Sequence, residues 1–362
     1  MYKWYPFFRA HNRFQMADLI KIGVIGASGY TGSDLIRLLI KHPNVKLEFA
    51  TANNHAGQNL QEIFPYLTDK TNIALQKWED VNWNNVDVIF SCLPHGMFHE
   101  IFMELPSNKI IIDLSADFRL DTTDDYSNWY NFKHASADYL RKFTYGLTEL
   151  NRSEIKKSKL VACPGCYPTA TLLGLYPLLK DNLVDCMNIT IDAKSGVTGA
   201  GRSPKRDLLF SEISESLRPY SATGHRHIPE IEQQISKIAQ TESKINFVPH
   251  LVPMNRGELI TSHLKTREEI GHEQILEIYR QTFRGEKFIS ILDNGVLPNT
   301  INVRGSNNCH ISIVPGRIEG TLMVISAIDN LVKGSSGQAI QNMNLILGYP
   351  EELGISHISL FP

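Results

Sequence analysis

The sequence predicts an α/β protein, a Rossmann-type dinucleotide-binding domain with an inserted α+β catalytic domain of mixed or antiparallel sheet. Three observations carry that expectation. A β-branched run, Ile20-Lys21-Ile22-Gly23-Val24-Ile25, passes through Gly26-Ala27-Ser28-Gly29-Tyr30-Thr31-Gly32 into a stretch of helical spacing. Residues 86–93 and 109–115 are further buried-strand runs that close on polar loops. After residue 186 the pattern changes to period two, as in Met187-Asn188-Ile189-Thr190-Ile191-Asp192-Ala193, the mark of a half-buried strand.

Strand, glycine turn and helix together form the context of a dinucleotide site, because the glycines permit a tight turn and close approach of a pyrophosphate. Gly26, Ser28, Gly29, Tyr30, Thr31 and Gly32 are therefore candidate cofactor contacts. The second strand ends in Asn53-Asn54, with no acid for a ribose 2′-OH and no arginine for a 2′-phosphate; the missing acid favours NADP. The next two strands end at Pro94-His95-Gly96 and at Ser115-Ala116-Asp117-Phe118-Arg119. Carboxyl ends of parallel strands face the ligand crevice, so Pro94, His95, Ser115 and Arg119 are placed to meet cofactor or substrate; purely structural loop duties are the alternative. Residues 121–145 turn aromatic and polar, consistent with a lid or a subunit contact.

Residues 160–162 form a short strand that delivers Cys163-Pro164-Gly165-Cys166-Tyr167-Pro168. Proline suits a first helical turn, so Pro168 dates a helix start to within a residue or two of Cys166. A thiol there is shifted toward thiolate by unpaired N–H groups and the helix dipole, which makes Cys166 a candidate nucleophile. A buried structural cysteine, a Cys163/Cys166 redox pair or half a metal site are the alternatives. The glycine-rich loop of residues 195–202, containing Gly196 and ending in Arg202, is a candidate anion cradle. His225-Arg226-His227 precedes a proline-started helix and suits acid–base chemistry on an anion. A capping pair, or half a metal site with Glu230, are its alternatives, and no metal is expected because further ligands at sensible spacing are missing. Strands at 247–253 and 259–264, and helices at 230–239, 268–283 and 339–347, complete the pattern.

The chain has 362 residues, 42% hydrophobic and 20% charged, with a net charge of -2, so no basic face for nucleic acid is implied. Five irregularly spaced cysteines suit a reducing compartment, here the cytoplasm, and no run is long enough to span a membrane. Residues 1–15 carry three basic residues and no acid, and Met16 looks like a more natural start. The expected organisation is an extension at 1–16, a dinucleotide-binding domain at 17–163 plus 330–362, and a catalytic and oligomerisation domain at 164–329.

These motifs together resemble the N-acetyl-γ-glutamyl-phosphate reductases of arginine biosynthesis, relatives of the aspartate-semialdehyde dehydrogenases. The resemblance runs from Lys21 to the end, through the glycine turn, Leu93-Pro94-His95-Gly96, residues 113–120, Tyr145-Gly146-Leu147, Pro164-Gly165-Cys166-Tyr167-Pro168-Thr169, residues 195–202, Gly224-His225-Arg226-His227, residues 249–254 and residues 329–334. It implies a nucleotide-binding domain completed by the C-terminal helix, NADP(H) as cofactor, a small acyl phosphate as substrate, and a homodimer or homotetramer. Cys166 carries over as nucleophile, and the essential histidine falls on His225 or His227. Arg119, Arg202 and Arg226 are expected to hold phosphate or carboxylate. Two departures stand out: Cys163 where asparagine is typical, and Asn53-Asn54 where an arginine-bearing segment is usual. A sibling acting on aspartyl phosphate, a Tyr176-x-x-x-Lys180 short-chain dehydrogenase and a non-catalytic NADP-binding redox sensor remain as rival readings.

Overall fold

The computed structural model describes residues 19–362, so the expected extension at 1–16 lies outside the described residues. Strands β1 (Ile20–Ile25), β2 (Val45–Thr51), β3 (Val88–Ser91), β4 (Ile110–Asp113), β5 (Thr144–Tyr145) and β6 (Leu160–Ala162) form one sheet in the order β2-β1-β3-β4-β6-β5. Every pairing in it is parallel. Such a sheet is covered on both faces, which is why its strands are runs of apolar residues and not alternations.

The helices of eight residues or more are α1 (Tyr30–Leu39), α2 (Thr123–Tyr130), α3 (Thr148–Ile155), α4 (Cys166–Lys180), α5 (His227–Ala239), α6 (His272–Thr282) and α7 (Gly337–Ile346). One face of the parallel sheet packs against α1 and, from the far end of the chain, α7: Leu35, Ile36, Ala339, Ile340 and Met343 share a core with Val24, Phe90 and Ile112. The other face is covered by aromatic residues, among them Phe98, Phe102, Phe118 and Tyr126. Here the lid, one of the two roles expected for residues 121–145 beside a subunit contact, is corrected. Tyr126 is fully buried and Phe118 stacks on Phe143 at 4.0 Å, so this stretch contributes a core layer where a lid was expected. Aromatic density with scattered polar residues looks alike in a cover and in a core layer whose Tyr and His tips find backbone partners: Tyr126 Oη donates to Ala116 O, and His134 Nε2 pairs with Asp117 O.

The second sheet is mixed. Its strands are β7 (Ile189–Gly196), β8 (Arg218–Pro219), β9 (Ile245–Val252), β10 (Glu258–Lys265), β11 (Ile289–Ile291), β12 (Cys309–Pro315) and β13 (Thr321–Ile328), in the order β11-β12-β13-β10-β7-β9-β8. The β7–β9 and β11–β12 pairs are parallel and the others antiparallel. Four of these strands, β8 and β11 to β13, escape the sequence pattern above. Helix α4 lies on the inner face, with Gly174 against Val324 and Ser326. All of α4 except Cys166, Tyr176 and Lys180 is buried, so the helix has no solvated side and its first turn opens into the interior.

Candidate active site

Two helices begin at the same place. Helix α4 starts at Cys166 and α5 starts at His227, and the link between them is Gly165. A Cβ on Gly165 would lie 2.4 Å from His227 Nε2, so only glycine lets the imidazole come this close to the cysteine turn. The turn is held from below by Glu230, a fully buried carboxylate one helical turn along α5. Its Oε1 accepts from Gly165 N–H at 2.9 Å and from Tyr145 Oη at 2.8 Å, and its Oε2 faces Arg119 Nη1 at 3.4 Å.

Arg119 also donates from Nε to Cys163 O at 2.8 Å and from Nη2 to Leu114 O at 3.1 Å. Three of its N–H donors thus brace the cysteine turn, and Arg119 also lines the cavity above Cys166. This cavity is about 210 Å³, and His95, Ser115, Ser195, Tyr220, His225 and Arg226 are among its other lining residues. Arg226 keeps its position there, with its guanidinium against the His95 ring, at 2.7 Å from Nδ1, and over Tyr130. Ser115 Oγ donates to Asp113. Asp117 accepts from the N–H groups of Gly96, Phe98 and His99 and so shapes the loop that carries His95.

The electrostatics reverse one expectation. The Cys166 thiol is pushed well above its ordinary pKa, first by burial and then by the neighbouring Glu258 carboxyl; the Tyr167 N–H and Arg119 only partly oppose this. Helix-dipole stabilisation is a surface-scale effect and loses to desolvation here. The imidazoles move the other way. Burial, then Arg226, brings His225 down to about 4, and burial with His225 and Arg119 nearby brings His227 well below its usual value. Both rings are neutral at pH 7. His225 Nδ1 accepts from His227 N–H at 3.1 Å, whereas His227 Nδ1 is buried without a partner.

Cys163 does not face this cavity. It packs in the core of the parallel sheet, accepts from Asn342 Nδ2 at 3.6 Å, and is pushed up to about 12 by burial. Cys166 packs against the core of the mixed sheet, so the C-x-x-C spacing serves two separate cores. Among the described residues no cluster of His, Cys, Asp and Glu is arranged to hold a metal.

At the glycine turn Gly26 has φ +81°, and a Cβ on it would meet Cys92 O at 2.7 Å. A Cβ on Gly32 would meet Gly26 O at 2.5 Å, the close helix-to-turn packing that the third glycine of such a motif provides. Gly29 is open, and no side chain caps α1, so its first N–H groups are free to meet a pyrophosphate. Ser28, Tyr30 and Thr31 are half-buried around this opening. The residues present fit a dinucleotide. Pro94 is exposed beside His95 at the end of β3.

One loop residue is placed otherwise than expected. Arg202 is not at the cavity: its Nη1 donates to Ser28 O at 3.0 Å and its guanidinium lies over Phe64, so it sits at the glycine turn. Gly196 is buried between cavity-lining Ser195 and Gly199, and a Cβ there would meet Asn255 O at 2.8 Å, so close backbone packing requires glycine at this position. Sequence reasoning missed Glu258 and the bracing role of Glu230. The signal for Glu258 is an acid on the inward face of an alternating strand, in register with Ile260, Ser262 and Leu264; the strand was read from Leu259, which left the acid outside it.

Two family models match this chain: "Semialdehyde dehydrogenase, NAD binding domain" over residues 21–158 and "Semialdehyde dehydrogenase, dimerisation domain" over residues 166–330. The chain belongs to the semialdehyde dehydrogenase family, and it is an oxidoreductase with a nicotinamide-dinucleotide fold. A probable N-acetyl-gamma-glutamyl-phosphate reductase, chloroplastic, of Arabidopsis thaliana is 48% identical over 95% of this chain and 86% of its own length. An N-acetyl-gamma-glutamyl-phosphate reductase of Geotalea daltonii is 46% identical over 95% of this chain and all of its own length. Within the family the chain therefore stands among the N-acetyl-γ-glutamyl-phosphate reductases. The fold is shared with aspartate semialdehyde dehydrogenase II of Vibrio cholerae, solved with ASA, at TM-score 0.70 and 16% identity over 92% of this chain and 99% of that one. It is shared also with aspartate semialdehyde dehydrogenase of Candida albicans, solved with NADP, at TM-score 0.65 and 17% identity over 92% and 99%. No helix among the described residues is long and apolar enough to cross a membrane.

Proposed function

We propose that the chain reduces N-acetyl-γ-glutamyl phosphate to N-acetylglutamate 5-semialdehyde with NADPH and releases phosphate, through a thioester on Cys166. The observation that carries this reading is the meeting of Cys166 and His227 across Gly165, at two helix N-termini that open on one cavity. Cys166 Sγ attacks the γ-carbonyl carbon, and the bond from that carbon to the phosphate oxygen breaks. N–H groups at the start of α4 face the oxygen that becomes negative, where each such donor is worth a few kcal/mol, on the order of 3. When bound, the reduced nicotinamide supplies the hydride that reduces the thioester. His227 lends its Nε2 proton to the carbonyl oxygen as the hydride arrives and recovers it as the thiohemiacetal collapses, re-forms the carbonyl and releases Cys166, while His225 braces the His227 backbone. Arg226, with its guanidinium at the cavity, holds a phosphate or carboxylate oxygen of the substrate.

Gly26, Ser28, Gly29, Tyr30, Thr31 and Gly32, with Pro94 and His95, hold the cofactor in this reading. NADP is favoured over NAD because β2 ends in Asn53 and Asn54 with no carboxylate, and because Arg202 brings a cation to the turn. Residues 17–163 with 330–362 serve the cofactor, and 164–329 serve catalysis and assembly. The outer face of the mixed sheet, with half-buried Val248, Val252, Leu259, Met323 and Ile325, suits a homodimer contact, or one face of a homotetramer. The five cysteines, all free, suit the cytoplasm. The test is the reverse assay. NADP reduction with N-acetylglutamate semialdehyde must depend on added phosphate and must exceed the rate with aspartate semialdehyde; a phosphate-independent rate, or a preference for aspartate semialdehyde, refutes the reading.

A further inference from the structure

Glu258 has no role in the chemistry described so far, yet both of its carboxyl oxygens are buried beside the site. It opens β10 on the inward face, opposite Ser195 of β7 and Ile328 of β13, and is fully buried. Neither carboxyl oxygen has a partner that meets hydrogen-bond geometry, and the side chain within reach is the Cys166 thiol. An unpartnered buried carboxyl costs about 1–3 kcal/mol or more, which a fold has no reason to carry unless the group meets something during turnover.

We infer that Glu258 is a catalytic proton acceptor for Cys166: its carboxylate takes the thiol proton as Sγ attacks the acyl carbon. The S–H bond breaks as the S–C bond forms, the proton moves to a Glu258 oxygen, and the leaving group departs with the electrons of its own bond to carbon. When the thiohemiacetal collapses, the S–C electrons return to sulfur and Glu258 returns the proton. The site thus has two proton carriers, Glu258 at the sulfur and His227 at the carbonyl side, and the substrate part of this inference rests on the function proposed above.

The acid–base balance is consistent. Burial pushes the Glu258 carboxyl up to about 8, tempered by the thiol and raised further by Asp329. A base for a thiol held above its usual range must itself be unusually basic, and Glu258 matches it better than an imidazole held well below 6.5. The titratable and charged groups around the pair are Tyr167 on α4, Tyr220 after β8, Asp329 after β13, and Arg119. Because only the carboxylate accepts a proton, acylation should rise with pH through about 8.

The experiment measures the first-turnover burst of p-nitrophenol from p-nitrophenyl acetate, which acylates a nucleophilic thiol without any cognate substrate. Cys166→Ser identifies the part of the burst that belongs to Cys166. In Glu258→Gln that burst should fall about 100-fold at pH 8.5 and lose its rise near pH 8, a typical general-base contribution. A carboxylate that was only a repelling neighbour would give the opposite sign, since its removal frees the thiolate; an unchanged or faster burst in Glu258→Gln therefore overturns the inference. NADPH binding checks that the variant is folded. If it is not, Glu258→Asp decides: a slower burst with a displaced pH limb supports the acceptor, and a profile that superimposes on the parent overturns it. Wild-type protein with a burst but no phosphate-dependent reductase activity would refute the proposed function and leave this inference to the burst alone.

Discussion

The glycine turn at Gly26–Gly32 and the cysteine turn at Cys163–Cys166 both join a parallel strand to a helix, yet they are built differently. The first takes its backbone shape from within a dozen residues: Gly26 supplies the left-handed backbone and Gly32 the close packing of α1. The second is held by residues far along the chain, with Glu230 below Gly165, Arg119 on Cys163 O and His227 above. A turn whose job is backbone approach needs only local conformation. A turn that must set a thiol's reactivity needs charge, and charge in a buried site has to be brought from elsewhere.

Variants separate the two turns. Cys166→Ser should lower turnover by about three orders of magnitude or more while NADPH affinity stays the same; near-normal rates would end the nucleophile assignment. Glu230→Ala leaves Arg119 without its buried counter-charge and should destabilise the fold by about 3–5 kcal/mol in denaturant unfolding. Gly165→Ala forces the His227 ring away and should cost about 1–3 kcal/mol of stability. It should also slow acylation with NADPH affinity unchanged. Gly26→Ala is the mirror case: a φ of +81° costs about 1–2 kcal/mol for an L-residue, so NADPH should bind more weakly while acylation from p-nitrophenyl acetate survives. If both glycine variants lose the same property, the two turns are not independent.

A further effect is on pH. His225 and His227 stay neutral in the fold and bind protons readily once unfolded, so the unfolded state holds more protons below about 6.5. Stability is then fully present above that pH and falls as pH drops toward 4, by at most about 1.4 kcal/mol per pH unit for each ring. Equilibrium unfolding of His225→Asn and His227→Asn should show a shallower slope in this window.

The fold class, the longer strands of the parallel sheet, the helix start near Cys166 and the choice of Cys166, His225 and His227 as candidates were legible in the linear order of residues, because each rests on local periodicity or on a turn that only glycine and proline permit. The strands β5, β8 and β11 to β13 were not, since short runs take their structure from neighbours far off in the chain. Nor was the aromatic layer of residues 121–145, whose burial depends on meeting Phe98 and Phe102. Arg119 and Arg202 show the same limit: an arginine's chemistry follows from its type, but its partner follows from where the chain returns.

What residue order determined by itself, then, is which groups are present and which turns carry them. What only tertiary structure decided is the protonation of those groups. Helix polarity alone argues for a Cys166 thiolate, and the opposite holds because α4 is buried on every side and β10 brings Glu258 to its first turn. Desolvation depends on everything packed around a group, and no local pattern of residues encodes it.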